Sequence, residues 1–187
     1  AADQRLITVS AAQHVVNQAE TRKLASLKER VEQAIDADRL LHQYRSQLLI
    51  DITSEGLRIQ IVDKENRPMF AQGSPVLQSY TREILHEIVK VIKTVPNKIS
   101  ISGHTDRTPY AAANGYSNWE LSSDRANAAR RMLEDASLDP TRIVEVRGYA
   151  DTRLRNPKEP NAPENRRISI FLPFSDVKAR VDSLAVN

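Results

Sequence analysis

From residue 1 to about residue 47 the chain has no glycine or proline, and Leu24, Leu27, Val31, Ala34 and Leu41 recur at spacings of three, four and seven. That periodicity predicts one long helix with a single apolar stripe. Asp38 and Arg45 fall in the same register, where a coiled-coil seam wants apolar side chains. Two arrangements follow: the stripe packs on its own domain, or it forms the seam of a parallel dimer. At Leu48 the period changes. Leu48, Ile50 and Ile52 alternate, Thr53-Ser54-Glu55-Gly56 turns the chain, and Leu57, Ile59 and Ile61 alternate again, which predicts a two-stranded hairpin.

Tyr80, Ile84, Ile88, Val91, Ile92 and Val95 mark a second helical face closed by Pro96. Lys98 to Gly103 reads as a short strand, and His104 to Ser117 as a polar loop broken by Pro109, Asn114 and Gly115. Leu121, Arg125, Ala128, Ala129, Met132 and Leu133 then predict a third helix, capped by Ser117 or Asn118 and over by Asp139-Pro140. Ile143 to Arg147 is a strand, 150–165 a proline-bearing loop, and Ile168, Ile170 and Leu172 a closing strand. This order predicts an α/β fold of the α+β sandwich kind, with helices on one face of a mixed sheet behind a long N-terminal helix. The chain divides into a helical linker (1–47), a globular unit (48–175) and a C-terminal tail (176–187).

Composition narrows the chemistry. At roughly 150 residues per domain, 187 residues allow one core and an appendage. The longest apolar run is Tyr110 to Ala113, far short of the roughly 20 residues that span a bilayer, and the first residues have no secretory-signal pattern. Zero cysteines exclude disulfides and thiolate chemistry. The net charge of +3 comes from interspersed charges of both signs, which argues against nucleic acid as a partner. Gly56, Gly73, Gly103, Gly115 and Gly148 cannot write a phosphate-cradling loop or a dinucleotide fingerprint. His14, His42, His86 and His104 have no metal-type spacing. No metal, cofactor or enzymatic activity is expected, and a hydrolase built on His104 and Asp106 lacks a nucleophile elbow.

The informative stretch is Ile101-Ser102-Gly103-His104-Thr105-Asp106 with Asn118-Trp119-Glu120-Leu121-Ser122-Ser123-Asp124-Arg125-Ala126. A strand ending at Gly103 delivers Asp106 to the mouth where the next helix begins. Arg125, two turns in, reaches back toward that mouth. A carboxylate and a guanidinium flanking one cavity suit a zwitterion, the first taking an ammonium and the second gripping a carboxylate. The alternative is that Asp106 and Arg125 pair with each other and order the loop.

Gly103-His104-Thr105-Asp106, Asn118-x-x-Leu121-Ser122-x-x-Arg125-Ala126, Gly148 in Val146-Arg147-Gly148-Tyr149-Ala150, and Asn165-Arg166-Arg167-Ile168 together resemble the OmpA-type peptidoglycan-binding domain. Asn66-Arg67-Pro68-Met69-Phe70 and Gly115-Tyr116-Ser117-Asn118-Trp119-Glu120 resemble its flagellar motor stator branch, the MotB type. The resemblance covers residues 48 to 173. It implies non-catalytic binding of the diaminopimelate-containing stem peptide, with Asp106 on the ligand ammonium and Arg125 on its carboxylate. Thr105, Asn118, Leu121 and Ala126 match positions that line or shape the pocket. Of Arg166 and Arg167, one would face the ligand and the other brace the sheet. Trp119 would stack on sugar or plug a loop. The segment Thr108 to Tyr116 is longer than in the general domain, in agreement with the stator branch.

The resemblance further implies a wall anchor for the flagellar stator: the periplasmic part of an inner-membrane protein whose membrane helix lies outside this sequence. Its implied partners are peptidoglycan, a second copy of the chain, the stator A-subunit and the flagellar P-ring. Residues 1–47 would then act as a linker that changes length. The rival is a static envelope tether of the outer-membrane-protein or lipoprotein type, using the same pocket.

Overall fold

The computed structural model describes residues 2–110 and 114–175, with side chains from residue 10 onward. Helix α1 (Ala2–Ala37) leads through a 3-10 turn, His42–Gln47, into the hairpin β1 (Leu48–Ile52) and β2 (Gly56–Val62). Then follow α2 (Ser79–Ile92), β3 (Ile99–His104), α3 (Asn118–Asp135), β4 (Ile143–Gly148) and β5 (Arg167–Pro173). The strands lie in the order β1-β2-β5-β3-β4. Only β3 and β4 run parallel, so the sheet is mixed, as expected. The tail 176–187 and Ala111 to Ala113 of the long loop lie outside the described residues.

Period-2 alternation divides the sheet into two faces. Ile50, Ile59, Ile170, Ile101 and Val146 meet in one cross-strand row, and the first four are buried in the core beside Ile84, Ile88 and Leu133 of α2 and α3. Residues between them, including Gln60, Ser169, Ser102 and Arg147, form a row on the opposite face. Two glycines set how closely α3 approaches the sheet. A Cβ at Gly103 would stand 2.1 Å from the Ser122 carbonyl oxygen, and one at Gly148 would stand 2.1 Å from Ser123 Oγ. Any larger residue at either position would lift the helix.

The N-terminal helix is shorter than the pattern predicts. Asp38 Oδ1 accepts from the N–H groups of Leu40 at 2.8 Å and Leu41 at 3.1 Å, a local side-chain turn that competes with helical bonding. The helix therefore stops at Ala37 and Arg45 never continues its stripe, pairing instead with Glu32 at 3.2 Å. Leu24, Leu27, Val31 and Ile35 are buried in the common core, so this half of α1 packs on its own chain. At roughly 2 kcal/mol per buried aliphatic side chain, the stripe is a substantial attachment. A polar contact adds to it: Glu20 Oε1 accepts from Asn97 Nδ2 at 2.9 Å and from the Ser175 N–H and hydroxyl at 2.8 Å each.

Candidate functional site

Where β3 ends, the chain is pinned before it reaches Asp106. The Thr105 N–H donates to the Ala150 carbonyl at 2.8 Å, and Tyr149 N–H donates to the Gly103 carbonyl at 3.0 Å. Ser122 Oγ accepts from Ala150 N–H at 3.0 Å, tying the same loop to α3. The start of α3 is set by a capping box between Ser117 and Glu120, so Ser117 is the cap. Asn118 is left to donate from Nδ2 to the Thr108 carbonyl at 3.0 Å. Between these elements and the segment after β2 lies a cavity of about 680 Å³.

Asp106 is buried there and already engaged. Its Oδ1 accepts from Thr108 N–H at 2.9 Å and its Oδ2 from Arg166 Nη1 at 2.6 Å. Arg166 also donates from Nε to Asp63 Oδ2 at 2.8 Å, and Asp63 Oδ1 accepts from Met69 N–H at 2.8 Å. The guanidinium thus bridges two carboxylates. Burial works against its charge, yet the bonds to Asp63 and Asp106 outweigh burial and raise its pKa. Burial also pushes the Asp63 carboxyl up, while the bonds from Arg166 and the Met69 N–H act in the opposite direction.

Arg125 stands apart. Its Nε donates to the Ser74 carbonyl at 3.0 Å, and its guanidinium lies 4.8 Å from the centre of the Phe70 ring. It is 7% exposed, and burial lowers its pKa against the opposing fields of Asp63 and Asp106. Among the described residues it forms no ion pair with a carboxylate. Tyr110 and Tyr116 pack at 5.0 Å on the loop beside it. Burial and the bond to Asp124 push the Tyr116 phenol up to about 12.

Chemically, the cavity presents a guanidinium without an anion and, across from it, a carboxylate whose oxygens each have a further lone pair. An anion fits near Arg125 and a donor near Asp106. Thr105 Oγ1 is buried on the lining without a hydrogen-bond partner among the described residues. No cluster of three or more His, Asp or Glu among the described residues is placed to hold a metal ion.

Six of the residues singled out in the sequence line this cavity: Thr105, Asp106, Asn118, Leu121, Arg125 and Arg166. Ala126 does not; it is fully buried, its backbone N 3.4 Å from where a Gly103 Cβ would be, so its small size serves helix–sheet packing. Arg167 lines the groove on the opposite sheet face, because adjacent residues entering a strand point to opposite sides. His104 lines that groove too, so His104 and Asp106 share no site. Trp119 is 53% exposed and plugs nothing. Asp63 and Phe70 line the cavity without having been singled out as ligand-site residues. The signal for Asp63 was a single carboxylate directly after an apolar strand.

Residues 69–168 match the OmpA family, more than half of the chain, and the chain belongs to that family. Among named relatives, Motility protein B of Escherichia coli strain K12 is 47% identical over 154 residues, 82% of this chain and 50% of that protein. The chain thus spans about half the length of that relative. The periplasmic domain of Helicobacter pylori MotB superposes with a TM-score of 0.61 at 21% identity, covering 74% of this chain and 97% of that one. The cell wall anchor of the T6SS from Pseudomonas aeruginosa superposes with a TM-score of 0.61 at 23% identity, covering 79% of this chain and 99% of that one. At these identities the two structures share the fold. No helix among the described residues is long and apolar enough to cross a membrane.

Proposed function

We propose that this chain is the wall-gripping, non-catalytic part of a flagellar motor stator. It binds the diaminopimelate-containing stem peptide of peptidoglycan and anchors an ion-driven torque generator to the cell wall. The observation that carries this reading is the pairing, inside one cavity of an OmpA-family chain, of the Asp106 carboxylate with an Arg125 guanidinium that has no ion pair among the described residues. Asp106 takes the ligand ammonium and Arg125 grips its carboxylate with two parallel bonds. Thr105 and Asn118 add hydrogen bonds, Leu121 shapes the wall, and Arg166 holds Asp106 in place.

In this reading residues 48–175 carry the site in the periplasm, and residues 1–47 link it to a membrane segment that meets the stator A-subunit. A torque generator needs a rigid support, which the wall supplies. A second copy of the chain would raise wall avidity through high effective concentration, and the P-ring is a further candidate contact. The likeness in fold to a T6SS cell wall anchor favours one alternative, a static envelope tether using the same pocket.

The test is a pull-down on purified sacculi with the parent chain, Asp106→Ala and Arg125→Ala. Binding by the parent that both substitutions abolish supports the pocket; retention by both overturns it. A deletion strain then separates the two roles, since loss of swimming with an intact envelope supports the stator and leakage with normal swimming supports the tether.

A further inference from the structure

The sheet face that carries no helix among the described residues is a polar trough. Strand pairing sets Gln60, Ser169, Ser102 and Arg147 side by side, then Arg58, Phe171, Ser100 and Glu145, with His104 opposite Arg167 at one end. Small serines down the middle and long side chains on both flanks leave a groove of about 710 Å³.

Its charges do not cancel. Arg58 pairs with Asp51 and Arg147 with Glu145, but among the described residues neither Arg153 nor Arg167 has a carboxylate partner. Arg167 is 8% exposed and, among the described residues, donates to the main-chain carbonyls of Asn165 at 3.1 Å and Arg153 at 2.8 Å. Its Nε and the Nδ1 of His104 are buried without hydrogen-bond partners among the described residues. Arg153 lies 3.9 Å over the Tyr149 ring, which stacks on His104 at 5.1 Å. Two guanidiniums and an imidazole therefore crowd one end of the trough. The field is felt locally: burial, then Arg167 and Arg153, lower the His104 pKa to about 3. Burial, then Arg155 and Arg58, lower that of Arg167 to about 10. An uncompensated buried cation is costly, and a bound anion offsets that cost.

We infer that this end of the trough is a second binding site, for a phosphate-type oxyanion. Arg153 and Arg167 supply the positive charge and the Tyr149 hydroxyl supplies a hydrogen bond; Ser102 Oγ, 3.3 Å from His104 Nε2, adds a second when that nitrogen carries the ring proton and donates to it. Tyr149 Oη already accepts from Arg147 Nη1 at 3.1 Å, which leaves its own proton to donate. A phosphate monoester carries about −1.5 to −2 charges near neutrality, which matches two unpaired guanidiniums better than one carboxylate does. The Asp106 cavity opens elsewhere, so both sites can be filled together.

The test is an NMR titration of the whole chain with inorganic phosphate at constant ionic strength, repeated with sodium acetate. The expected result is saturable shifts at Ser102, His104, Tyr149 and Arg153, and none with acetate. Arg153→Gln should weaken phosphate binding about tenfold while sacculus binding stays unchanged. Tyr149→Phe, which keeps the ring stack, should weaken phosphate binding several-fold. Shifts scattered over the surface, an equal response to acetate, or unchanged affinity in Arg153→Gln would overturn the site. Co-sedimentation with vesicles of phosphatidic acid in phosphatidylcholine assigns the phosphate to a lipid headgroup, and saturation by glycerol 3-phosphate without co-sedimentation assigns it to a soluble ester.

Discussion

Asp106 is bound to Arg166 across 2.6 Å and not to Arg125. That choice of partner shapes the cavity. Had Asp106 and Arg125 closed on each other, the loop would be ordered but the site filled. Arg166, held from its other edge by Asp63 at 2.8 Å, fixes the aspartate without removing the second guanidinium.

Arg166→Ala should therefore cost more than a surface ion pair. It leaves two buried carboxylates facing each other, and a loss of about 3 kcal/mol is expected in urea unfolding. A loss under about 1 kcal/mol, typical of exposed pairs, would mean that the bridge does not hold the site.

Arg125→Lys keeps the charge but loses the planar fork and its stacking on Phe70. Sacculus binding should fall about tenfold, or ~1.4 kcal/mol, with an unchanged circular dichroism spectrum. Equal binding would show that the cavity reads charge alone.

Gly103→Ala drives a methyl group into the Ser122 carbonyl. Overpacking of this kind costs about 3 kcal/mol, and because α3 carries Arg125, the thermal midpoint and sacculus binding should fall together. An unshifted midpoint would show that α3 can move away freely.

His104 gives a pH dependence of known sign. Its pKa lies near 6.5 in the unfolded chain and is lowered to about 3 in the fold, so between those values the unfolded state holds more protons. Stability is present above the unfolded value and lost as pH falls, by about 2 kcal/mol between pH 7 and pH 5. Chemical unfolding of His104→Phe, which keeps an aromatic ring on Tyr149, should show a flatter profile over that range. An identical slope would mean that other groups carry it.

Asn97→Ala removes the donor that joins Glu20 to the end of β5. Amide exchange in the first half of α1, from Ser10 to Leu24, should quicken while β3 is unaffected. Uniform protection in both would show that the apolar stripe alone holds the helix.

Local periodicity was enough to find the three α-helices and five strands of the described residues but not the short 3-10 turns between them, because the period of burial is a property of each segment. The motif around Gly103, Asp106 and Asn118 to Arg125 was legible for the same reason, since its residues lie on one strand, one loop and one helix that follow in sequence. The sequence could not show where α1 stops. Asp38 reads there as a polar stripe position, and only its bonds to Leu40 and Leu41 turn the chain. Nor could it choose a partner for Asp106. Arg166 is 60 residues away, and Asp63 is 103 residues from Arg166; they meet because β5 inserts between β2 and β3. The same insertion decides between Arg166 and Arg167. A strand alternates its faces one residue at a time, so the pairing of Arg167 with His104 sends it to the opposite face, away from the cavity that Arg166 lines. Segments carry their own periods in the sequence, whereas contacts between distant side chains depend on strand order and register, which only the folded sheet decides.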